Sequence, residues 1–301
     1  MKLLLIGRNG QLATEILKQA GQHDVTVHAL SRSELDLSEP QRVVEVLSAV
    51  GDVDIVLIAA AYTAVDKAEA DQETAFRVNA ESVREIGRFC NQRNLPLIHV
   101  STDYVFDGSR EGYAYQPGDP VAPTGVYGAS KLAGERALAE THAQSVIVRT
   151  SWIYSPHGHN FVKTMLKVGA DRDELRIVSD QHGCPTSAAD LAAALLSVAR
   201  RVLEDPVPEC WGVFHFCGAG ATSWFGFARE IFDLAAKRGF NSPRLVLVST
   251  AEYPTPAKRP ANSVLDCTRI GEIYGISPRP WGEALAETIE VLTTSAQLET
   301  S

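Results

Sequence analysis

The sequence predicts an α/β fold, a doubly wound parallel sheet followed by a smaller C-terminal domain. Three observations carry that prediction. In the first half, short apolar runs alternate with amphipathic helical segments, the pattern of βαβ units whose sheet is covered on both faces. A glycine-rich turn follows the first apolar run directly. After Thr150 the alternation loosens, and aromatic, proline-rich stretches from Trp152 to Pro156 and from Tyr253 to Pro260 interrupt the helical segments.

Strands are expected over 2–6, 25–30, 54–59, 96–100 and 145–149, separated by helices near 11–20, 40–50, 71–93 and 127–142. Ser38, Glu39 and Pro40 mark a helix start: a hydroxyl cap, then proline where backbone N–H groups need no internal partner. Between Asp107 and Val126 the breakers Gly108, Gly112, Pro117, Gly118, Pro120, Pro123 and Gly125 predict a long surface loop, and loops of that length are commonly functional. Further helices are expected near 161–169, 187–203 and 223–237, and a frayed tail over 293–301. The expected division is a first domain of 1–150 with parts of about 174–220, and a second of about 151–173 with 221–295.

Composition narrows the class. With 301 residues, 45% hydrophobic and 22% charged, the chain is long enough for a sizeable core and too apolar for disorder. The net charge of −9 argues against nucleic acid and anionic membranes as partners. Cys90, Cys184, Cys210, Cys217 and Cys267 are scattered without CxxC pairs, which predicts neither a disulfide framework nor a zinc ribbon but a reducing, cytoplasmic setting. The apolar run from Leu3 to Ile6 ends at Gly7, too short for a signal segment, and no run is long enough to span a membrane.

Gly7-Arg8-Asn9-Gly10-Gln11-Leu12-Ala13 stands where the first strand turns into the first helix and reads as a GxxGxxA fingerprint. Gly7 permits the tight turn, Gly10 lets a pyrophosphate approach the N–H groups of the helix start, and Ala13 allows close helix-to-strand packing. The plain alternative is a turn that needs glycine for steric reasons alone. The second strand ends Leu30-Ser31-Arg32, with no acid for ribose hydroxyls; a hydroxyl and a guanidinium suit a 2′-phosphate and point to NADPH, with Arg32 as a solvated surface charge the other reading. Asp36 and Leu37 are placed near the adenine, and Ala59, Ala60, Ala61, Tyr62 and Thr63 close the third strand against the cofactor, simple packing being the alternative for the alanines.

Tyr127-Gly128-Ala129-Ser130-Lys131 is a YxxxK motif on an expected helix, where a spacing of four puts phenol and ammonium on one face. A free phenol titrates near ~10, and Lys131 is expected to lower that by stabilising phenolate. Ser101 and Thr102 end the fourth strand, so Thr102 can bond the same substrate oxygen. Glycine turn, strand-end hydroxyls and YxxxK, in this order on one sheet edge, outweigh a chance match and read as a hydride-transfer site with Thr102, Tyr127 and Lys131 as its catalytic residues.

The chain resembles the extended short-chain dehydrogenase/reductases, a Rossmann-type family, almost end to end. The marks are Ala59 to Glu69 (AAAYTAVDKAE), Ser101 to Phe106 (STDYVF), Val126-Tyr127-Gly128 with Lys131 to Glu135 (KLAGE), Arg149 to Tyr154 (RTSWIY) and Arg259 to Ser263 (RPANS). The resemblance implies reduction of the 4-keto group of dTDP-4-dehydro-L-rhamnose by NADPH or NADH, for surface polysaccharide. By motif it implies a cofactor lined by Gly10, Gln11, Leu12, Asp36, Leu37, Ala61, Tyr62 and Thr63, which join Gly7, Asn9, Ser31, Arg32 and Ala60 from the reading of the residues, with Tyr127 and Lys131 serving cofactor and chemistry; the Ser31-Arg32 ending of strand two departs from the family. Thr102, Asp103, Tyr104 and Trp152 would face the sugar nucleotide. Tyr104 stands where related dehydratases carry an acid, which disfavours dehydration; Ala59 departs from the asparagine usual there.

In the implied mechanism Tyr127 protonates the developing alkoxide, Thr102 polarises that oxygen, and Lys131 holds the ribose. Arg259 is the candidate for the diphosphate, pairing with a structural carboxylate being its other reading. Alternatives are a non-catalytic, dinucleotide-binding regulatory subunit and a reductase of another 4-keto-6-deoxy sugar nucleotide. A homodimer follows from the resemblance alone; magnesium, found in some members, is not indicated by this sequence. His157-Gly158-His159 reads as polar surface, and no metal site is expected.

Overall fold

The computed structural model describes residues 1–299. Strands β1 (Lys2–Ile6), β2 (Thr26–Leu30), β3 (Ile55–Ile58), β4 (Leu97–Thr102) and β5 (Ser145–Thr150) form one sheet with the strand Gly212–His215, in the spatial order β2, β1, β3, β4, β5, Gly212–His215. Every neighbouring pair is parallel, with Leu3 between Val27 and Ile55 and Thr102 beside Thr150. The winding reverses between β1 and β3, so the loops leaving their carboxyl ends diverge and open a crevice there. This is the Rossmann-type, doubly wound α/β fold.

The sheet is buried on both sides, which is why its strands read as continuous apolar runs. Leu3 and Leu5 face helices Gln11–Ala20 and Ala188–Glu204 through Leu12, Ile16, Leu191 and Leu195. Leu4 and Ile6 face the other way, toward Val43, Leu47, Val83, Ile86 and Leu138 of helices Val43–Ser48, Ser82–Arg93 and Val126–Thr141. A third cluster, around Tyr154, Val162, Phe227, Phe232, Leu285 and Ile289, joins helices Phe161–Ala170, Trp224–Ala236 and Trp281–Glu299.

Several expectations need correcting. Glu174–Val178, expected with the sheet, pairs in parallel with Arg244–Val248, and its Leu175 and Ile177 lie in the third cluster. Helix Thr268–Tyr274, expected with the second domain, places Ile270 in the sheet core. Ser38 caps no helix: its hydroxyl donates to Asp36 Oδ1 at 2.8 Å, and a short 3₁₀ turn, Pro40–Arg42, precedes Val43–Ser48. The expected 71–93 helix carries a wide π turn at Arg77–Glu81. The tail expected over 293–301 is helical through Glu299, continuous with a helix whose Leu285, Ile289 and Leu292 pack into the third cluster; residues 300 and 301 lie outside those described. Among the described residues no helix is long and apolar enough to cross a membrane.

One buried ion pair ties helix Val126–Thr141 to the sheet. Arg149 on β5 meets both oxygens of Glu135, with Nη2 at 2.6 Å from Oε2 and Nε at 2.9 Å from Oε1, while Ser101 of β4 donates to Oε1 at 2.5 Å. A further Arg149 nitrogen holds the Pro117 carbonyl of the long loop at 3.3 Å. Replacing Glu135 with Leu strands a buried guanidinium and is expected to cost about 3–5 kcal/mol, most of it regained in Glu135→Leu/Arg149→Met. Urea unfolding of the three proteins checks this; a single variant as stable as the parent would contradict it.

Candidate active site

At the cofactor end, two glycines differ in what demands them. Gly7 has φ +105, and a Cβ there would sit 2.9 Å from Ala60 N, so the fold itself requires glycine. Gly10 precedes helix Gln11–Ala20 in extended backbone, and a Cβ there meets no protein atom within 4 Å. The polypeptide leaves that position open beside free helix N–H groups, a cradle that fits a dinucleotide pyrophosphate. Asn9 is exposed at the turn. The Gln11 side chain is engaged elsewhere, its Oε1 accepting from Ser155 at 3.0 Å and Asn160 at 2.8 Å. Leu12 and Leu37, expected to line the cofactor, are core residues, 6% and 5% exposed.

The end of β2 is more acidic in space than in sequence. Ser31 donates both its N–H (2.8 Å) and its hydroxyl (2.6 Å) to Glu34 Oε2, and these bonds hold the Glu34 carboxyl below the usual carboxylate range. Arg8 lies 3.5 Å from the same carboxylate, and Arg32 pairs with Asp36 at 3.1 Å. The expectation that no acid stands at this strand end is therefore corrected: Glu34 folds back onto it. Two guanidiniums and two carboxylates share the corner, chemistry able to meet a 2′-phosphate or ribose hydroxyls.

Beyond β3, Ala60 donates its N–H to Ile6 O, Ala61 and Tyr62 are half-buried, and Thr63 is exposed. Asn79, which the sequence reading missed, organises this segment from the π turn. Its Oδ1 accepts the Tyr62 N–H at 2.8 Å, while its Nδ2 donates to Tyr62 O at 3.1 Å and to Ser130 Oγ at 3.0 Å. An asparagine inside a helical run was the available signal, since that residue competes with helical backbone bonding.

Thr102 and Asp103, 5% and 2% exposed, lie at the carboxyl end of β4, and the Thr102 hydroxyl donates to Asp103 Oδ1 at 3.0 Å. Tyr127 meets the Tyr104 ring edge-on, centroids 5.5 Å apart. Burial pushes the Tyr127 hydroxyl up to about 12, with a hydrogen bond to Thr102 pulling it down and the Asp103 charge pushing it further up. The expected lowering by Lys131 is not found. The Lys131 ammonium, 2% exposed, donates to Val100 O at 2.8 Å and lies 3.2 Å from His99 Nε2; burial lowers its pKa to about 8, and Glu135 acts in the opposite sense.

Trp152 holds a left-handed backbone, φ 48, and stacks on Trp224 at 3.6 Å. A non-glycine residue in that region stores strain, a feature of positions fixed for function. Arg259 shows the second of its two readings: Nη1 and Nη2 bind Asp66 at 3.1 and 2.8 Å, and Nη1 also holds Ala257 O. Glu69, from the same motif as Asp66, accepts the N–H of Val126 at 2.9 Å and so closes the start of helix Val126–Thr141. His157 pairs with Glu15 at 3.2 Å. Among the described residues no group of three or more His, Cys, Asp or Glu is arranged to hold a metal.

Burial pushes Asp103 up to about 6, against donors on Ser263 and Thr102. A folded pKa above the unfolded one means that the ionised carboxylate is penalised: the cost is absent below about pH 4 and complete above about pH 6. Asp103→Asn should therefore gain stability relative to the parent as pH rises across that window, by on the order of 2–3 kcal/mol. Urea unfolding at several pH values tests it; a difference independent of pH would refute the burial cost.

A family model described as RmlD substrate binding domain matches residues 1–294. The chain is 41% identical to a dTDP-4-dehydrorhamnose reductase of Sinorhizobium fredii, over 97% of this chain and 98% of the relative. Among solved structures it is similar to a dTDP-4-dehydrorhamnose reductase of Clostridium acetobutylicum, with TM-score 0.89 and 36% identity over 97% of this chain and 99% of that one. It is also similar to the Bacillus anthracis enzyme of that name in complex with NADP, with TM-score 0.87 and 33% identity over 96% and 99%. On family model, sequence and structure alike, the chain belongs to the dTDP-4-dehydrorhamnose reductase family.

Proposed function

We infer that this protein is an NAD(P)H-dependent oxidoreductase that reduces the 4-keto group of dTDP-4-dehydro-L-rhamnose to give dTDP-L-rhamnose, with NADPH as reductant. The observation that carries the reading is the seating of Tyr127, one turn before the buried Lys131 on its helix, against the segment that follows Thr102 at the carboxyl edge of the sheet. That edge also bears the open Gly10 cradle. Bound NADPH supplies a hydride for the carbonyl carbon.

The chain's own residues handle the oxygen. Thr102 and Tyr127 direct their hydroxyls at it, and Tyr127 releases its proton as negative charge develops. A phenol held at about 12 keeps its proton at neutral pH and is still far more acidic than an alcohol, whose alkoxide approaches the basicity of hydroxide. Transfer runs downhill without help from a lowered pKa. Lys131 contributes a buried positive charge one helical turn away.

Gly7, Asn9 and Gly10, with the backbone of Gln11 and Leu12, take the pyrophosphate. Ser31, Arg32 and Asp36 take the adenosine ribose, and 60–63 flank the nicotinamide side. Asp103, Tyr104 and Trp152 face the sugar, and the part of the chain built round the third cluster takes the thymidine diphosphate. Arg259, committed to Asp66, acts there by fixing the 257–263 segment. The five cysteines are free thiols, which supports a reducing, cytoplasmic setting. With Thr102, Tyr127 and Lys131 all present, a non-catalytic subunit is not favoured.

Tyr127→Phe should lower kcat by about 10²–10⁴ with KM nearly unchanged. The assay is NADPH oxidation with the keto-sugar nucleotide, the product identified by chromatography. Absence of turnover in the parent would overturn the reading; near-parental turnover in Tyr127→Phe would remove the phenol as acid.

A further inference from the structure

His99 is wholly buried in the middle of β4, an unusual place for an imidazole, and its Nε2 lies 3.2 Å from Lys131 Nζ. An ammonium has donors only, so that contact requires the lone pair on Nε2 and puts the ring proton on Nδ1, which finds no hydrogen-bond partner among the described residues. A buried donor left unpaired is costly, and the fold bears that cost to keep an acceptor at Nε2. Together with the Val100 carbonyl at 2.8 Å, the ring occupies two of the three ammonium N–H groups from the strand side.

We propose, building on the reductase reading above, that His99 is the positioning residue for Lys131: a neutral acceptor that fixes the ammonium's direction and keeps it charged without cancelling the charge. A carboxylate in that place would bind the ammonium more tightly and cancel its charge. Imidazole does not, because burial and the neighbouring Lys131 charge hold its pKa well below the ordinary value. The nearby acid, Glu135 on the same helix, is committed to Arg149 of β5 and Ser101 of β4. Among the described residues neither Asp103 nor Tyr127 is hydrogen-bonded to the ammonium.

The test compares His99→Leu, which removes the acceptor, with His99→Gln, whose Oε1 reaches the place of Nε2. His99→Asn, whose amide stops short, serves as a second loss variant that keeps a polar side chain. Lys131 is titrated directly by NMR of ¹³C-lysine-labelled protein, its resonance identified by disappearance in Lys131→Met. The Leu and Asn variants should titrate about one pH unit below the parent, and Gln alongside the parent. In turnover, the alkaline limb of kcat/KM should move down by the same amount, roughly a fivefold loss near pH 8. A folded Leu or Asn variant with unshifted titration, or Gln shifted as far as either, would overturn the proposal. The titration needs no sugar nucleotide, so failure of the reductase reading shows separately, as a parent protein without turnover.

Discussion

The close approach of helix Val126–Thr141 to its neighbours is the constraint on which the site rests. A Cβ at Gly134 would sit 2.1 Å from Asn79 O, and one at Gly128 would sit 2.2 Å from Tyr104 O. Glycine at these two positions lets the helix seat against the π turn on one side and the end of β4 on the other. Glu135, next in the chain, locks the seating through Arg149 and Ser101. Tyr127 and Lys131 thus meet β4 and the turn after it as a rigid group, placed by backbone contact before any side-chain chemistry begins.

That placement changes the chemistry the motif suggests. Spacing alone invites a cation that acidifies a phenol, yet here burial dominates and raises the phenol. For a reduction this is sufficient: the acid must hold its proton until an alkoxide forms, and an alkoxide is basic enough to take it from a group at about 12. A strongly acidified phenol would instead lose its proton before turnover. The role left to Lys131 is electrostatic and directional.

What was legible in the sequence follows from what is local. β1 and β3 showed because strands buried on both faces are apolar, β2, β4 and β5 because shorter apolar stretches recur in the βαβ alternation, and the glycine turn because Gly7 sits where only glycine fits. The strand Gly212–His215 escaped notice: four residues pairing with β5 alone leave too short a run. Asn79 escaped because its partners Tyr62 and Ser130 lie 17 and 51 residues away. The Asp66–Arg259 pair spans 193 residues, and the resemblance offered both residues inside motifs without saying that they meet. Periodicity tells which way a side chain faces and not which distant group it finds.

The charges beneath the site make one system. Arg149 and Glu135 bond to each other in a pair that is 4% and 5% exposed, so Lys131, at the base of the Tyr127 helix face, has no carboxylate bonded to it. Burying it costs free energy, visible in its pKa falling to about 8; the Glu135 charge acts against that fall, while the ammonium's own contacts are a carbonyl and an imidazole and not an anion. An anion would have made the lysine cheaper to bury and less useful. Glu135, the acid whose charge reaches Lys131, is held by Arg149 and Ser101, so it acts on the ammonium from a distance and takes no hydrogen bond from it.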